Sequence, residues 1–107
     1  NTEEIAELTF KCLIDNVPSE VPGIAFLSGG QTEIEATRNL NAINKINNSN
    51  FAITFSYGRA LQQSTLSYWG KNREDILNTQ KVFNHRAKMN SLSTLGRWKN
   101  DLEKIDF

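Results

Sequence analysis

Phe26-Leu27-Ser28-Gly29-Gly30-Gln31 is an apolar run that stops at a hydroxyl and two glycines, and Thr32-Glu33-Ile34-Glu35 follows directly. The second stretch has the pattern of a capping box: a Thr hydroxyl for the amide three residues on, and a Glu that reaches back. A helix is therefore expected immediately after the Gly-Gly turn. Ala36, Leu40 and Ile43 carry one apolar face to about Ile46, where the turn chemistry of Asn47-Asn48-Ser49-Asn50 closes it. Upstream, Ile24-Ala25-Phe26-Leu27-Ser28 shows no polar alternation, the pattern of a strand buried on both faces. Thirty residues later, Phe51 to Ser56 followed by Tyr57-Gly58-Arg59 repeats the logic. It sets Phe51, Ile53 and Phe55 on one side and Ala52, Thr54 and Ser56 on the other. No hairpin signal joins the two strands, so strand, helix and strand read as a parallel βαβ unit. The expected class is α/β, with parallel strands at about 24–28 and 51–56 and flanking helices.

The flanks add four further elements. Thr2 is placed to cap a helix over 3–16, with Ile5, Leu8, Cys12 and Leu13 as its apolar stripe and Cys12 as a small buried hydrophobe. Pro18 and Pro22 then hold an extended connection. Gly58-Arg59 opens a helix carrying Leu61, Thr65, Tyr68 and Trp69, with Gly70 as its C-cap. Asn72 is positioned to cap the next helix, with Ile76, Gln80, Phe83 and Ala87 as its stripe and Leu92 and Leu95 extending it to Gly96. His85 falls between those apolar positions and reads as a solvated or rim histidine. The tail from Lys99 to Phe107 reads as a loosely docked terminus.

Composition excludes several function classes. Twelve basic residues balance twelve acidic ones and no segment gathers a basic run, so the positive footprint of a nucleic-acid binder is missing. No apolar run approaches the ~20 residues of a membrane span. The opening Asn-Thr-Glu-Glu is acidic where a secretory leader would be basic and apolar, and the cytoplasm is the expected compartment. One cysteine and one histidine make neither an internal disulfide nor a metal cluster, so no metal or cofactor is expected. A two-stranded sheet also leaves two open edges, which points to a piece of a larger sheet.

In parallel α/β sheets, ligands bind beyond the carboxyl ends of the strands. Ser28-Gly29-Gly30 and Ser56-Tyr57-Gly58-Arg59 occupy those ends. Glycines allow close backbone approach, a helix N-terminus favours negative charge, and Arg59 offers a planar fork suited to phosphate oxygens. Adjacent strands lie roughly 4.8 Å apart, so both donor sets reach one anion. The bland alternative is that the glycines only make tight turns and Arg59 is solvated.

Leu27-Ser28-Gly29-Gly30-Gln31, Asn39-Leu40-Asn41-Ala42-Ile43-Asn44 and Thr54-Phe55-Ser56-Tyr57-Gly58-Arg59-Ala60-Leu61-Gln62 together resemble the C-terminal part of class I fructose-1,6-bisphosphate aldolase. The resemblance runs from the first helix to about Gly96. It implies that residues 1–107 are the last two βα units and tail of a single (β/α)8 TIM barrel. The implied activity is the reversible cleavage of fructose 1,6-bisphosphate to dihydroxyacetone phosphate and glyceraldehyde 3-phosphate in glycolysis. The implied chemistry is a metal-free Schiff base on a strand-six lysine, and the implied assembly is a homotetramer. Ser28, Gly29, Gly58 and Arg59 match the family's ketose-phosphate site, with Gly30 and Ser56 lining the same loops. Two departures accompany the match. Every lysine here falls on an expected helix or the tail, so the nucleophile is expected upstream, together with the rest of the barrel. The tail closes in Phe107 where the family closes in tyrosine. Two other readings remain: a non-catalytic phosphate-binding or scaffolding fragment, or another phosphosugar-using barrel.

Overall fold

The computed structural model describes residues 1–106. Its elements in order are α1 (Thr2–Asn16), β1 (Gly23–Phe26), α2 (Glu33–Ile46), β2 (Ala52–Phe55), α3 (Arg59–Lys71), α4 (Ile76–Ser93) and a 3-10 turn, Asn100–Glu103. β1 and β2 pair in parallel with Phe26 opposite Phe55, and the Ser56 amide donates to the Phe26 carbonyl at 2.7 Å. The strands are thus shorter than the expected 24–28 and 51–56, because the chain beyond Phe26 and Ser56 turns away before further ladder bonds form.

α2 is the element against which α1, β2, α3 and α4 all pack. Its capping box forms in both directions, Glu35 N–H to Thr32 Oγ1 and Thr32 N–H to Glu35 Oε1, each at 3.1 Å. Ala36, Leu40 and Ile43 are buried as the periodicity requires, and they meet Ile53, Phe51 and Tyr57 in one core. Asn47 closes the helix by accepting from the Ser49 amide and donating to the Phe51 carbonyl.

The sheet is covered on one side only. Ile24, Phe26, Ile53 and Phe55 point toward the helices, while Ala25, Thr54 and Ser56 are exposed and Leu27 is 72% exposed. Burial on both faces of β1 is therefore not achieved by this chain, since no described element lies across the second face.

Four local expectations are corrected by packing. α1 is capped by Asn1 rather than Thr2. It packs through Ala6, Phe10 and Leu13, leaving Ile5, Leu8 and Cys12 exposed. The one fully buried position of α1 is thus small Ala6, and of the expected stripe only Leu13 meets the core. Gly70 lies inside α3, whose C-cap is Asn72. Asp75, not Asn72, caps α4, accepting from the Asn78 amide at 3.2 Å, and the Tyr68 hydroxyl donates to the same carboxylate at 2.5 Å.

The inward face of α4 departs furthest from the hydrophobic pattern. Val82, Arg86, Met89, Asn90 and Ser93 are buried, while Ile76 and Gln80 are exposed and Phe83 is 36% exposed. The buried residues are spaced by three and four, but three of them are polar. Each reaches Thr37 of α2: Thr37 Oγ1 donates to Asn90 Oδ1 at 2.6 Å, Arg86 Nη1 lies 3.1 Å from Thr37 Oγ1, and Ser93 Oγ donates to the Thr37 carbonyl at 2.9 Å, while Asn90 Nδ2 and Arg86 Nε are buried without a hydrogen-bond partner. Asn44 Nδ2 lies 3.0 Å from the carbonyls of both Ile53 and Ser93, tying α2, β2 and α4 together.

α4 ends where the sequence places the stop. Gly96 has φ +67, with Arg97 N–H donating to Leu92 O at 3.0 Å and Gly96 N–H to Ser93 O at 3.2 Å, the paired bonds of a Schellman motif. The tail that follows is docked, not loose. Trp98 is 5% exposed and exchanges two hydrogen bonds with Asn41. Glu103 receives both terminal nitrogens of Arg86 at 2.6 and 3.0 Å and the Trp98 indole N–H at 2.8 Å. His85 is also drawn in, its Nε2 3.1 Å from the Glu103 carbonyl, so of the two expected placements it takes the half-buried rim and not the solvated one. Phe107 lies outside the described residues.

Candidate functional site

The carboxyl ends of β1 and β2 lead into two different turns. After β1, the Gln31 amide donates to the Ser28 carbonyl at 3.0 Å and closes a turn with Gly29 at φ +56, in the left-handed region that favours glycine. The Gln31 side-chain amide donates to the same carbonyl at 3.0 Å, and Asn39 from α2 holds the Gln31 Oε1 at 2.7 Å. The turn is thereby fastened to the helix behind it. Ser28 is buried, while Gly29 and Gly30 are exposed.

After β2, Tyr57 plunges into the core and its hydroxyl donates to the Ala36 carbonyl at 3.0 Å; burial pushes its phenol up to about 12. This anchor sets where Gly58 and Arg59 begin α3. A Cβ added at Gly30 or Gly58 would meet nothing within 4 Å. Packing therefore does not require glycine at either place, and the space beside their backbone is open.

The N-termini of α2 and α3 face a shared cleft of about 370 Å³, lined by Gly30, Gln31, Thr32, Glu33, Arg59 and Gln63 among others. The two helix ends differ chemically. α2 is capped by its own Thr32 and Glu35, and that carboxyl is held below the usual range chiefly by the Thr32 hydrogen bonds. α3 begins at Gly58 with no side-chain cap. Its first amides have no partner within the helix, so it presents the positive end of a helix dipole to the cleft.

Of the six residues singled out in the sequence, Gly30 and Arg59 line this cleft. Ser28 and Gly29 stand in the adjoining turn, Gly58 is the N-cap of α3, and Ser56 lies exposed at the end of β2; none of these four lines it. Sequence reasoning missed Gln31, Glu33 and Gln63. Gln31 was within the quoted motif, but its role depends on Asn39 one helix turn and more away. Glu33 read only as an interior residue of the capping-box stretch; in the fold its Oε1 accepts from both the backbone amide and the hydroxyl of Ser64 on α3. A larger cleft of about 450 Å³ lies elsewhere, between α1, the C-terminal half of α2 and the Trp98 segment. It mixes Arg38, Lys45 and Lys99 with Glu3 and Glu7 and contains none of the six. Among the described residues no helix is long and apolar enough to cross a membrane.

Comparison with known proteins bears on the whole chain. The profile of the glycolytic family described as fructose-bisphosphate aldolase class-I matches residues 1–106. The chain is 53% identical over 102 residues to a cytosolic fructose-bisphosphate aldolase of Arabidopsis thaliana, covering 94% of this chain and 26% of that relative. It is 54% identical over 97 residues to a cytoplasmic isozyme from Spinacia oleracea, covering 90% of this chain and 27% of the relative. Among solved structures, it superposes with TM-score 0.89 and 45% identity on the fructose-bisphosphate aldolase of Plasmodium falciparum, determined in complex with TRAP and a small-molecule inhibitor. That match covers 94% of this chain and 29% of the other. The chain thus spans about a quarter of the length of the curated relatives it matches.

Proposed function

The chain belongs to the class I fructose-bisphosphate aldolase family, and from that premise we propose that it is the C-terminal segment of a (β/α)8 barrel and supplies that enzyme's grip on a substrate phosphate. The observation that carries the grip is the uncapped N-terminus of α3 beside Arg59, opening on the same cleft as the Gly30 turn. Exposed backbone amides, a helix dipole and a guanidinium are together suited to a dianion. Ser28, Gly29, Gly30, Ser56, Gly58 and Arg59 form the proposed phosphate set, from the two loops that follow the strands.

In this reading the whole enzyme cleaves fructose 1,6-bisphosphate to dihydroxyacetone phosphate and glyceraldehyde 3-phosphate in glycolysis, through a Schiff base on a lysine outside this segment. None of the chain's lysines stands at a strand end: those up to Lys88 sit on helices, and Lys99 and Lys104 are in the tail. The segment's task is positioning. Binding energy from the remote phosphate holds the ketone in register with the amine. The open face and edges of β1 and β2 are where the remaining barrel strands would pair and pack. A cytosolic homotetramer is the assembly proposed, the compartment supported by the names of the plant relatives.

The test is Arg59→Ala in the full-length enzyme. The expected outcome is a Michaelis constant for fructose 1,6-bisphosphate raised about tenfold or more, on the scale of a lost charge-assisted hydrogen bond, with the thermal midpoint within a degree or two. An unchanged Michaelis constant refutes the assignment of Arg59.

A further inference from the structure

A carboxylate sits in the wall of the cleft proposed to take a phosphate, and its charge has to be answered. Glu33, the first residue of α2, lines that cleft with its side chain 9% exposed. Oε1 is taken by Ser64 from α3. Oε2 is buried and accepts no hydrogen bond. The cation facing it is Arg86 of α4, whose Nε lies 3.7 Å away and is itself buried without a hydrogen-bond acceptor. The two unsatisfied atoms thus face each other across a distance too long for a hydrogen bond but short for a charge pair.

Arg86 is locked in that position from its other end. Its side chain is 7% exposed, Nη1 and Nη2 bind the Glu103 carboxylate, and Nη1 also reaches Thr37 Oγ1 at 3.1 Å. Glu103 is in turn held by the Trp98 indole. One guanidinium therefore serves two carboxylates, one on the tail and one on the cleft wall. A buried charge left without its partner is costly, and at low effective dielectric its field reaches a neighbouring ligand.

We propose that Arg86 is a positioning residue for the phosphate cleft: it neutralises Glu33, so that the carboxylate bridges α2 to Ser64 on α3 without repelling the bound anion. This rests on the phosphate reading of the cleft above. Arg86 touches no ligand, and its effect passes wholly through Glu33.

The test uses the full-length enzyme, with inorganic phosphate as competitive inhibitor and fructose 1,6-bisphosphate as substrate. Arg86→Gln exposes the Glu33 charge, and both the phosphate inhibition constant and the Michaelis constant are expected to rise about tenfold, with kcat within about twofold. Adding Glu33→Gln to that variant removes the repelling charge and is expected to restore both constants to within about threefold of the parent. A purely structural role for Arg86 predicts the opposite, a double variant as weak as the single, and that result overturns the proposal. Where Arg86→Gln does not fold, Glu33→Gln alone decides. It is expected to bind phosphate as tightly as the parent or more tightly, and weaker binding overturns the proposal. Arg59→Ala separates the two levels. If it leaves phosphate inhibition unchanged, the phosphate reading and this proposal fall together. If it weakens inhibition while Arg86→Gln does not, this proposal alone falls.

Discussion

Removing the carboxylate of Glu103 is expected to release the tail without unfolding the helices. Its two oxygens accept three charge-assisted or indole hydrogen bonds, from Arg86 Nη1, Arg86 Nη2 and Trp98 Nε1. Breaking a buried ion pair by deleting one partner costs about 3–5 kcal/mol. In Glu103→Ala, however, Arg86 keeps Thr37 and the nearby Glu33 carboxylate. The Trp98 backbone also keeps both hydrogen bonds to Asn41. We therefore expect a smaller loss, about 2–3 kcal/mol, which multiplies the undocked population roughly 30- to 150-fold. Limited trypsin digestion of the full-length enzyme reads this population directly, because Arg97, Lys99 and Lys104 flank the docked turn and cleavage tracks the open state when closing is fast. Cleavage of the Glu103→Ala protein at these sites within about threefold of the parent rate would refute the claim that this carboxylate holds the tail. The same clamp carries a pH signature. Burial pushes the Glu103 carboxyl up, but hydrogen bonds from Arg86 and Trp98 and the charges of Arg86 and His85 outweigh it and hold the group below its ordinary 4.5. A depressed folded value means the docking contribution is complete above the ordinary carboxylate range and is lost as pH falls through the lower folded value. Amide exchange across 98–104 should therefore remain slow down to about pH 4.5 and accelerate, relative to α2, only in stronger acid.

Three further outcomes follow from the packing. Gly96→Ala forces a side chain into the left-handed region and places a Cβ 3.3 Å from the Asn44–Lys45 backbone; a loss of about 2–3 kcal/mol in denaturant unfolding of the full-length enzyme is expected, and a loss under 0.5 would refute the strain. Leu40→Ala opens a cavity at a position 1% exposed, and about 2–5 kcal/mol should be lost in the same assay; a variant as stable as the parent would show that this core is not tightly packed. Tyr57→Phe leaves the Ala36 carbonyl without the phenol while keeping the ring; about 1 kcal/mol of destabilisation is expected, and the difference absorbance of the parent should show this phenol ionising only near pH 12.

Much of the fold can be read from local signals. The Thr32–Glu35 box, the Asn47–Asn50 stop and the Gly96 terminus act on atoms within six residues, and each forms as the residues dictate. The parallel pairing of the two strands follows from a helix lying between them. The alternation at Phe51, Ile53 and Phe55 likewise identified the side of β2 that meets the core. The face of α4 was misjudged because hydrophobic periodicity assumes that what is buried is apolar. α4 buries Arg86, Asn90 and Ser93 instead, and their partners lie on α2, 49 to 56 residues distant. No pattern within one helix reports an acceptor on another.

The division is sharpest at the strand ends. Sequence alone determined where the two turns fall, that glycines would occupy them, and that an arginine would open α3, since these are matters of one residue's conformation and its near neighbours. Tertiary structure decided which of those residues share a cleft. It brought Gly30 and Arg59 to one wall and left the N-terminus of α3 uncapped. It also put Glu33 there and answered its charge with Arg86, 53 positions away along the chain. Hydrogen bonds and charges act through space at a few ångströms, and the distance between Glu33 and Arg86 exists only once α2 and α4 have packed.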